Sequence, residues 1–396
     1  MKAVVWNGPG DIALSDVPDP TPRDPGDAVV RLTVSAICGT DLHMIRGTMP
    51  GMRPGTVLGH EGVGVVEEVG AGVRAFRPGD RVVIPSTICC GRCSYCRAGY
   101  TSQCDAANPN GPLVGTSFFG GPEPTGPFDG LQAQYARIPW ADANLVPLPD
   151  AVTDEQAIIA SDVFPTGYYG AQLAEVSPGD TVAVFGAGPV GQLSIASARN
   201  LGATRVIVVD GVASRLEKAR RQHVEPVDYT AEDPVEAIRE LTGGIGVDRV
   251  IDAVGVDAYA PSDSEDAAVE QRTEELEEVS GGGPTAWNAG DAPSQAARWA
   301  VQAVAKAGSI GIVGVYPQTA ATYPIGEVMN RNLTVKAGNC PHRALMPRMI
   351  DLIASGRLDA GRAVTKQEGM TGAIEAYETF DRHEPGWTKV VVDPAA

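Results

Sequence analysis

Short apolar runs, each closed by Gly or Pro, set the rhythm of the first part of the chain. KAVVW, DIALSDV and DAVVRLTVSAI follow one another, and the last alternates apolar and polar positions. That alternation predicts a half-buried strand delivering Cys38 to a loop. VGVVEEVG and FRPGDRVVI continue the pattern, and the Pro-Gly-Asp turn before DRVVI recurs at Pro178–Asp180 ahead of TVAVFG. Each is a Pro-Gly turn feeding a strand. The expectation is a β-rich first half with many turns and no long helical period.

The rhythm changes at Thr181. TVAVFGAGPVGQLSIASARNLGA reads as strand, Gly-rich turn and helix, and RVIVVD follows as a second strand ending in Asp210. DRVIDAVG (Asp248–Gly255) and SIGIVGV (Ser309–Val315) are further apolar strands suited to a parallel sheet. From Asp257 to Pro293 the pattern breaks into an acidic, helix-prone stretch and then GGGPTAWNAGDAP. That is longer than an ordinary crossover and reads as an insertion. It is either a solvated excursion, or a flap over a cofactor or an oligomer contact. In the tail, Leu345, Met349 and Leu352 share one helical face, and KVVVD is a last strand returning to the first half. The fold class expected is α/β with two domains.

Composition narrows the function. The chain has 396 residues, 43% of them hydrophobic, and a formal net charge of −18. Length allows two cores, and the charge disfavours nucleic acid and anionic membranes as partners. No run approaches the roughly 20 apolar residues of a membrane span. The start lacks the apolar core of a signal peptide, so a cytoplasmic location is expected. Seven cysteines in a reducing compartment point to metal or catalysis rather than disulfides.

Three stretches carry candidate chemistry. CGTDLH (Cys38–His43) and GHEG (Gly59–Gly62) bring a thiol, imidazoles and a carboxylate, the donors zinc prefers, with the Thr40 hydroxyl two residues after the thiol. Read alone, the stretch is equally a buried Cys and His in a loop. CGRCSYCRAGYTSQC places Cys90, Cys93, Cys96 and Cys104 at C-x2-C-x2-C-x7-C. Four thiolates so spaced can enclose one structural zinc, with an iron–sulfur cluster or disulfides as rivals. Gly186, Gly188 and Gly191 form G-x-G-x-x-G between strand and helix, and Asp210 ends the next strand. That is a complete dinucleotide fingerprint, and the Asp210 carboxylate would accept from ribose hydroxyls and repel a 2′-phosphate, favouring NAD. Asp162, in SDVFPTGYYG, is a helix cap or a third ligand for the Cys38/His60 metal.

With these motifs in this order, the chain resembles the zinc-containing medium-chain alcohol dehydrogenase family over nearly its whole length. The Asp162 segment and the insertion are similar to its glutathione-independent formaldehyde dehydrogenase branch. The resemblance implies a GroES-like β-rich catalytic domain over residues 1–163 and 340–396, and a Rossmann domain over 164–339 with the insertion at about 257–293. It implies catalytic zinc on Cys38, His60 and Asp162, with Glu61 beside it or a transient ligand. Thr40 would take the alcohol proton and His43 would relay it. Gly39, Thr40, His43, Pro189, Val190, Arg215, Val254, Val313, Val315, Gly338 and Cys340 would border the NAD. The expected reaction passes hydride from a zinc-bound alcohol or aldehyde hydrate to NAD. A polyol or amino-alcohol dehydrogenase and a non-catalytic NAD-binding protein are the alternatives. The resemblance favours a homotetramer over a dimer.

Overall fold

A computed structural model describes residues 1–108, 110–111, 115–261, 266–358 and 363–396. The chain divides into two units: residues 1–46, 51–165 and 339–396 form the first, and residues 47–50 with 166–338 form the second.

The first unit is built on antiparallel pairing. Lys2–Gly8 lies between Asp11–Asp16 and Thr56–Val57 in a three-stranded sheet. A larger sheet centres on Ala28–Ile37, which pairs antiparallel with Gly62–Val69, Tyr135–Ile138 and Val390–Asp393. The KVVVD strand therefore closes onto the strand that delivers Cys38. One expectation needs correcting. The stretch after Cys38 is not a loop but a helix, Gly39–Arg46. Eight residues are too few for a periodic signal to emerge, and the helix is fixed by its surroundings rather than by propensity.

The second unit carries a six-stranded sheet in which every neighbour is parallel. Its order is Glu225–Asp228, Arg205–Asp210, Thr181–Phe185, Val247–Asp252, Val304–Ile312, Thr334–Ala337. This is the 3-2-1-4-5-6 order of a doubly wound dinucleotide-binding sheet. Alternate residues of Thr181–Phe185 enter two different cores: Ala183 and Phe185 pack with Trp299 and Ile310, and Val182 and Val184 with Ile195 and Leu216. Burial on both faces explains the unbroken apolar runs of these strands. Two strands end earlier than their apolar runs suggest, at Asp252 and Ile312. Val254, Val313 and Val315 therefore lie in the turns beyond the carboxyl ends of the strands, where open α/β sheets bind ligands.

Within the insertion, residues 262–265 lie outside the described residues, and Asp266–Val279 is a helix. Glu275 anchors it, accepting from Ser294 Oγ at 2.6 Å and Arg298 Nη2 at 3.1 Å. No described helix is long and apolar enough to cross a membrane.

Candidate functional site

Cys38 stands where the central strand gives way to the Gly39–Arg46 helix. Asp41, in the first helical turn, accepts from the Cys38 N–H at 3.0 Å and stands 3.0 Å from His60 Nδ1. One buried carboxylate thus caps the helix and faces the imidazole. His60 is set by the residue before it: Gly59 has φ +90°, and a Cβ there would lie 2.5 Å from Gln132 Cγ. Asp162 occupies the junction between helices Asp154–Ser161 and Val163–Leu173. Ser161 holds that junction beside the His60 segment, donating to the Ile84 carbonyl at 2.5 Å and accepting from the Gly62 N–H at 3.1 Å.

These supports bring four buried donors together. One atom each from Cys38, His60, Glu61 and Asp162 lies within 4.8 Å of the others. Asp162 Oδ2 is 3.5 Å from Cys38 Sγ and 3.3 Å from His60 Nε2. Thr40 Oγ1 is 4.0 Å from Cys38 Sγ. His43 is buried on the same helix as Thr40. Glu61 turns part of its carboxylate to the buried Lys389 ammonium, which also donates to the Ile37 carbonyl at 3.2 Å.

The donors suit a zinc ion. They are thiol, imidazole and carboxylate, and buried His60 has Asp41 beside Nδ1 while Nε2, turned to the other donors, makes no directed hydrogen bond. The electrostatics agree. Burial pushes the Cys38 thiol up, and the Asp162 charge adds to that. Burial would lower His60, but the charges of Asp41 and Cys38 hold the imidazole well above its usual range. Burial also works against the Asp162 carboxylate, yet the imidazoles of His342 and His60 beside it hold it well below the usual carboxylate range. A thiol and two carboxylates gathered around one imidazole favour a positive charge among them, which a divalent cation supplies directly.

A second cluster gathers Cys90, Cys93, Cys96 and Cys104, also within 4.8 Å by their sulfurs. All seven cysteines are free thiols, and Cys93 Sγ and Cys104 Sγ stand 3.9 Å apart. Backbone N–H groups point at the sulfurs: Cys90 to Cys104 at 3.2 Å, Cys93 to Cys90 at 3.4 Å, Ala107 to Cys104 at 3.4 Å. Amides so aimed offset thiolate charge, which fits a tetrahedral four-sulfur site.

In the second unit the glycine turn has the shape a pyrophosphate needs. Gly186 has φ +89°, and a Cβ on Gly191 would meet the Gly186 carbonyl oxygen at 1.9 Å. At Gly188 a Cβ would meet only Arg215 Nη1, at 3.9 Å, so the backbone is open to a ligand. Pro189 starts the following helix, Val190 lies in its first turn, and no side chain caps it. Its first N–H groups are left for an anion. The Asp210 carboxylate accepts from Ala187 N–H at 2.6 Å and Val212 N–H at 2.7 Å, tying the strand end to the turn. Val315 bridges to Gly255, and Gly338 lies near the Tyr169 hydroxyl, both in this unit. Cys340 is buried in the first unit.

Comparison with known proteins gives the same family twice over. The family described as "Alcohol dehydrogenase GroES-like domain" matches residues 24–150, and "Zinc-binding dehydrogenase" matches residues 189–265. The zinc-type alcohol dehydrogenase-like protein AdhB of Bacillus subtilis is 37% identical over 398 residues, covering all of both chains. This chain belongs to the zinc-containing medium-chain alcohol dehydrogenase family. Alcohol dehydrogenase TADH from Thermus sp. ATN1 has a matching fold, with a TM-score of 0.79 and 33% identity over 99% of each chain. The glutathione-independent formaldehyde dehydrogenase of Pseudomonas aeruginosa is 40% identical over 270 residues, covering 65% of this chain and 66% of that protein.

Sequence reading missed Asp41, His342 and Lys389, which support the buried donors, and Thr87, whose hydroxyl meets His342 at 3.1 Å. Asp41 had a local signal, as a carboxylate three residues after Cys38 at a helix start. The other three lie far along the chain from the groups they touch, and no spacing announces them.

Proposed function

We propose that this alcohol dehydrogenase oxidises a small primary alcohol, or an aldehyde entering as its hydrate, and passes hydride to NAD. The convergence of Cys38, His60 and Asp162 beside the Thr40 hydroxyl carries the reading. These three side chains would hold a catalytic zinc, with Glu61 alongside. Zinc bound there supplies Lewis acidity, which eases loss of the alcohol proton. Thr40 accepts that proton. His43, three residues on and so on the same helical face, relays it onward.

Gly186, Gly188 and Gly191 with Pro189 and Val190 would cradle the NAD pyrophosphate, with Arg215 near it. Asp210 would meet the ribose and exclude a 2′-phosphate. Val254, Val313, Val315, Gly338, Cys340 and Gly39 would complete the coenzyme's surroundings. Cys90, Cys93, Cys96 and Cys104 would hold a second, structural zinc. The catalytic domain would comprise residues 1–163 and 340–396 and the coenzyme domain 164–339, assembled as a homotetramer.

A carboxylate rather than a thiol at the third position, the long insertion and the likeness to the Pseudomonas enzyme favour formaldehyde or another small aldehyde. NADH absorbance across primary alcohols and formaldehyde, without glutathione, tests this. Turnover of formaldehyde that Asp162→Ala abolishes is expected. Turnover of primary alcohols alone would reject the aldehyde assignment, and no turnover with either would reject the reading.

A further inference from the structure

We infer that His342 is a positioning residue that makes Asp162 a one-oxygen metal ligand, an inference that rests on the zinc reading above. His342 is the first residue of the His342–Ala354 helix, and its side chain is 5% exposed. Its Nε2 lies 2.6 Å from Asp162 Oδ1, and its Nδ1 lies 3.1 Å from Thr87 Oγ1. These partners come from positions 180 and 255 residues away, so only the folded unit joins them.

A short carboxylate can rotate and offer a metal either oxygen or both. Here one oxygen is taken. With Nε2–H donating to Oδ1, Oδ2 remains, and it is the oxygen that stands 3.5 Å from Cys38 Sγ and 3.3 Å from His60 Nε2. Nδ1, on the other side of the ring, faces the Thr87 hydroxyl at 3.1 Å, which fixes the ring plane. Asp41 faces His60 from the other side at 3.0 Å. Two of the three ligands are thus each held by a buried partner. An Asp162 limited to one oxygen leaves a coordination position for substrate, as a catalytic site requires.

The test reads metal release from the zinc-loaded enzyme. Wild type, His342→Gln and His342→Asn are exposed to a chelator, and released zinc is followed against time. Gln carries an N–H to about the position of Nε2; Asn is too short and reaches only toward Thr87. One of the two zincs should leave His342→Asn about 10–100-fold faster than wild type, the usual scale for losing a group that orients a ligand. His342→Gln should stay close to wild type. The four-cysteine zinc should leave at an unchanged rate in all three, which reports intact folding. Cobalt substituted at the fast-exchanging site should show an altered visible spectrum in His342→Asn only. Unchanged release from His342→Asn, or equal acceleration in both variants, would overturn the inference while leaving the zinc reading intact. A wild-type chain holding a single zinc would overturn both.

Discussion

Replacing Lys389 by methionine removes the partner of a carboxylate with no route to solvent. The Glu61 side chain is 0% exposed and that of Lys389 1%. Burial lowers Lys389, but the Glu61 and Cys38 charges more than offset it, so the ammonium persists in the folded protein. Without it, Glu61 must stay charged and unpaired or take up a proton. Protonation caps the cost. Bringing a carboxyl of ordinary pKa about 4.3 to its neutral form at pH 7 costs about 3.7 kcal/mol, at 1.36 kcal/mol per unit. The lost bond to the Ile37 carbonyl adds about 1 kcal/mol. The destabilisation is therefore at most about 4–5 kcal/mol at pH 7, in the range found for breaking buried ion pairs. At pH 5 the protonation cost falls to about 1 kcal/mol, and the total to about 2 kcal/mol. The sign follows from linkage. Burial already raises the Glu61 carboxyl with Lys389 beside it, and losing Lys389 raises it further, so the penalty grows as pH climbs above the unfolded value. Urea denaturation of wild type and Lys389→Met at both pH values measures it. The double variant Glu61→Gln/Lys389→Met has no charge left to bury and should recover most of the pH-dependent part. A loss that is the same at both pH values, or a double variant no better than the single, would refute the argument.

Other outcomes follow from the remaining geometry. Cys93 is pulled down to about 7: burial raises it, but the hydrogen bonds its sulfur accepts, from the Cys96 and Asp105 N–H groups and the neighbouring thiols of Cys96 and Cys104, together lower it more, whereas burial pushes Cys89 up to about 12. In chelator-stripped protein, Cys93 should therefore be alkylated well before Cys89, with a pH midpoint near its pKa; peptide mapping after brief iodoacetamide treatment reads the order. Gly191→Ala places a methyl 1.9 Å from a backbone oxygen, so the glycine turn must move. NAD affinity by calorimetry should fall by at least tenfold, or about 1.4 kcal/mol, while both zincs remain. Asp210→Ser removes the carboxylate that meets Ala187 and Val212. The ratio of kcat/KM for NAD over NADP should drop, and an unchanged ratio would show that specificity lies elsewhere.

Much of this enzyme could be read from its residues in order. The G-x-G-x-x-G turn and the four-cysteine loop are local objects. Chain connectivity alone keeps their groups within a few ångströms, so their spacing already describes their geometry. The parallel sheet was legible for a related reason, since strands buried on both faces must be apolar throughout. The Gly39–Arg46 helix was not, because eight residues carry too little periodicity to outweigh the glycine and cysteine at its start. The partnerships around the metal donors were decided only by the tertiary structure. Glu61 with Lys389, His60 with Asp41 and Asp162 with His342 and Thr87 are set by how strands and helices pack. A lone lysine before an apolar strand, or a histidine opening a helix, looks the same in sequence whether it faces water or a buried carboxylate. Burial separates the two cases, because an unpaired charge is tolerable in solvent and costs several kcal/mol inside a fold.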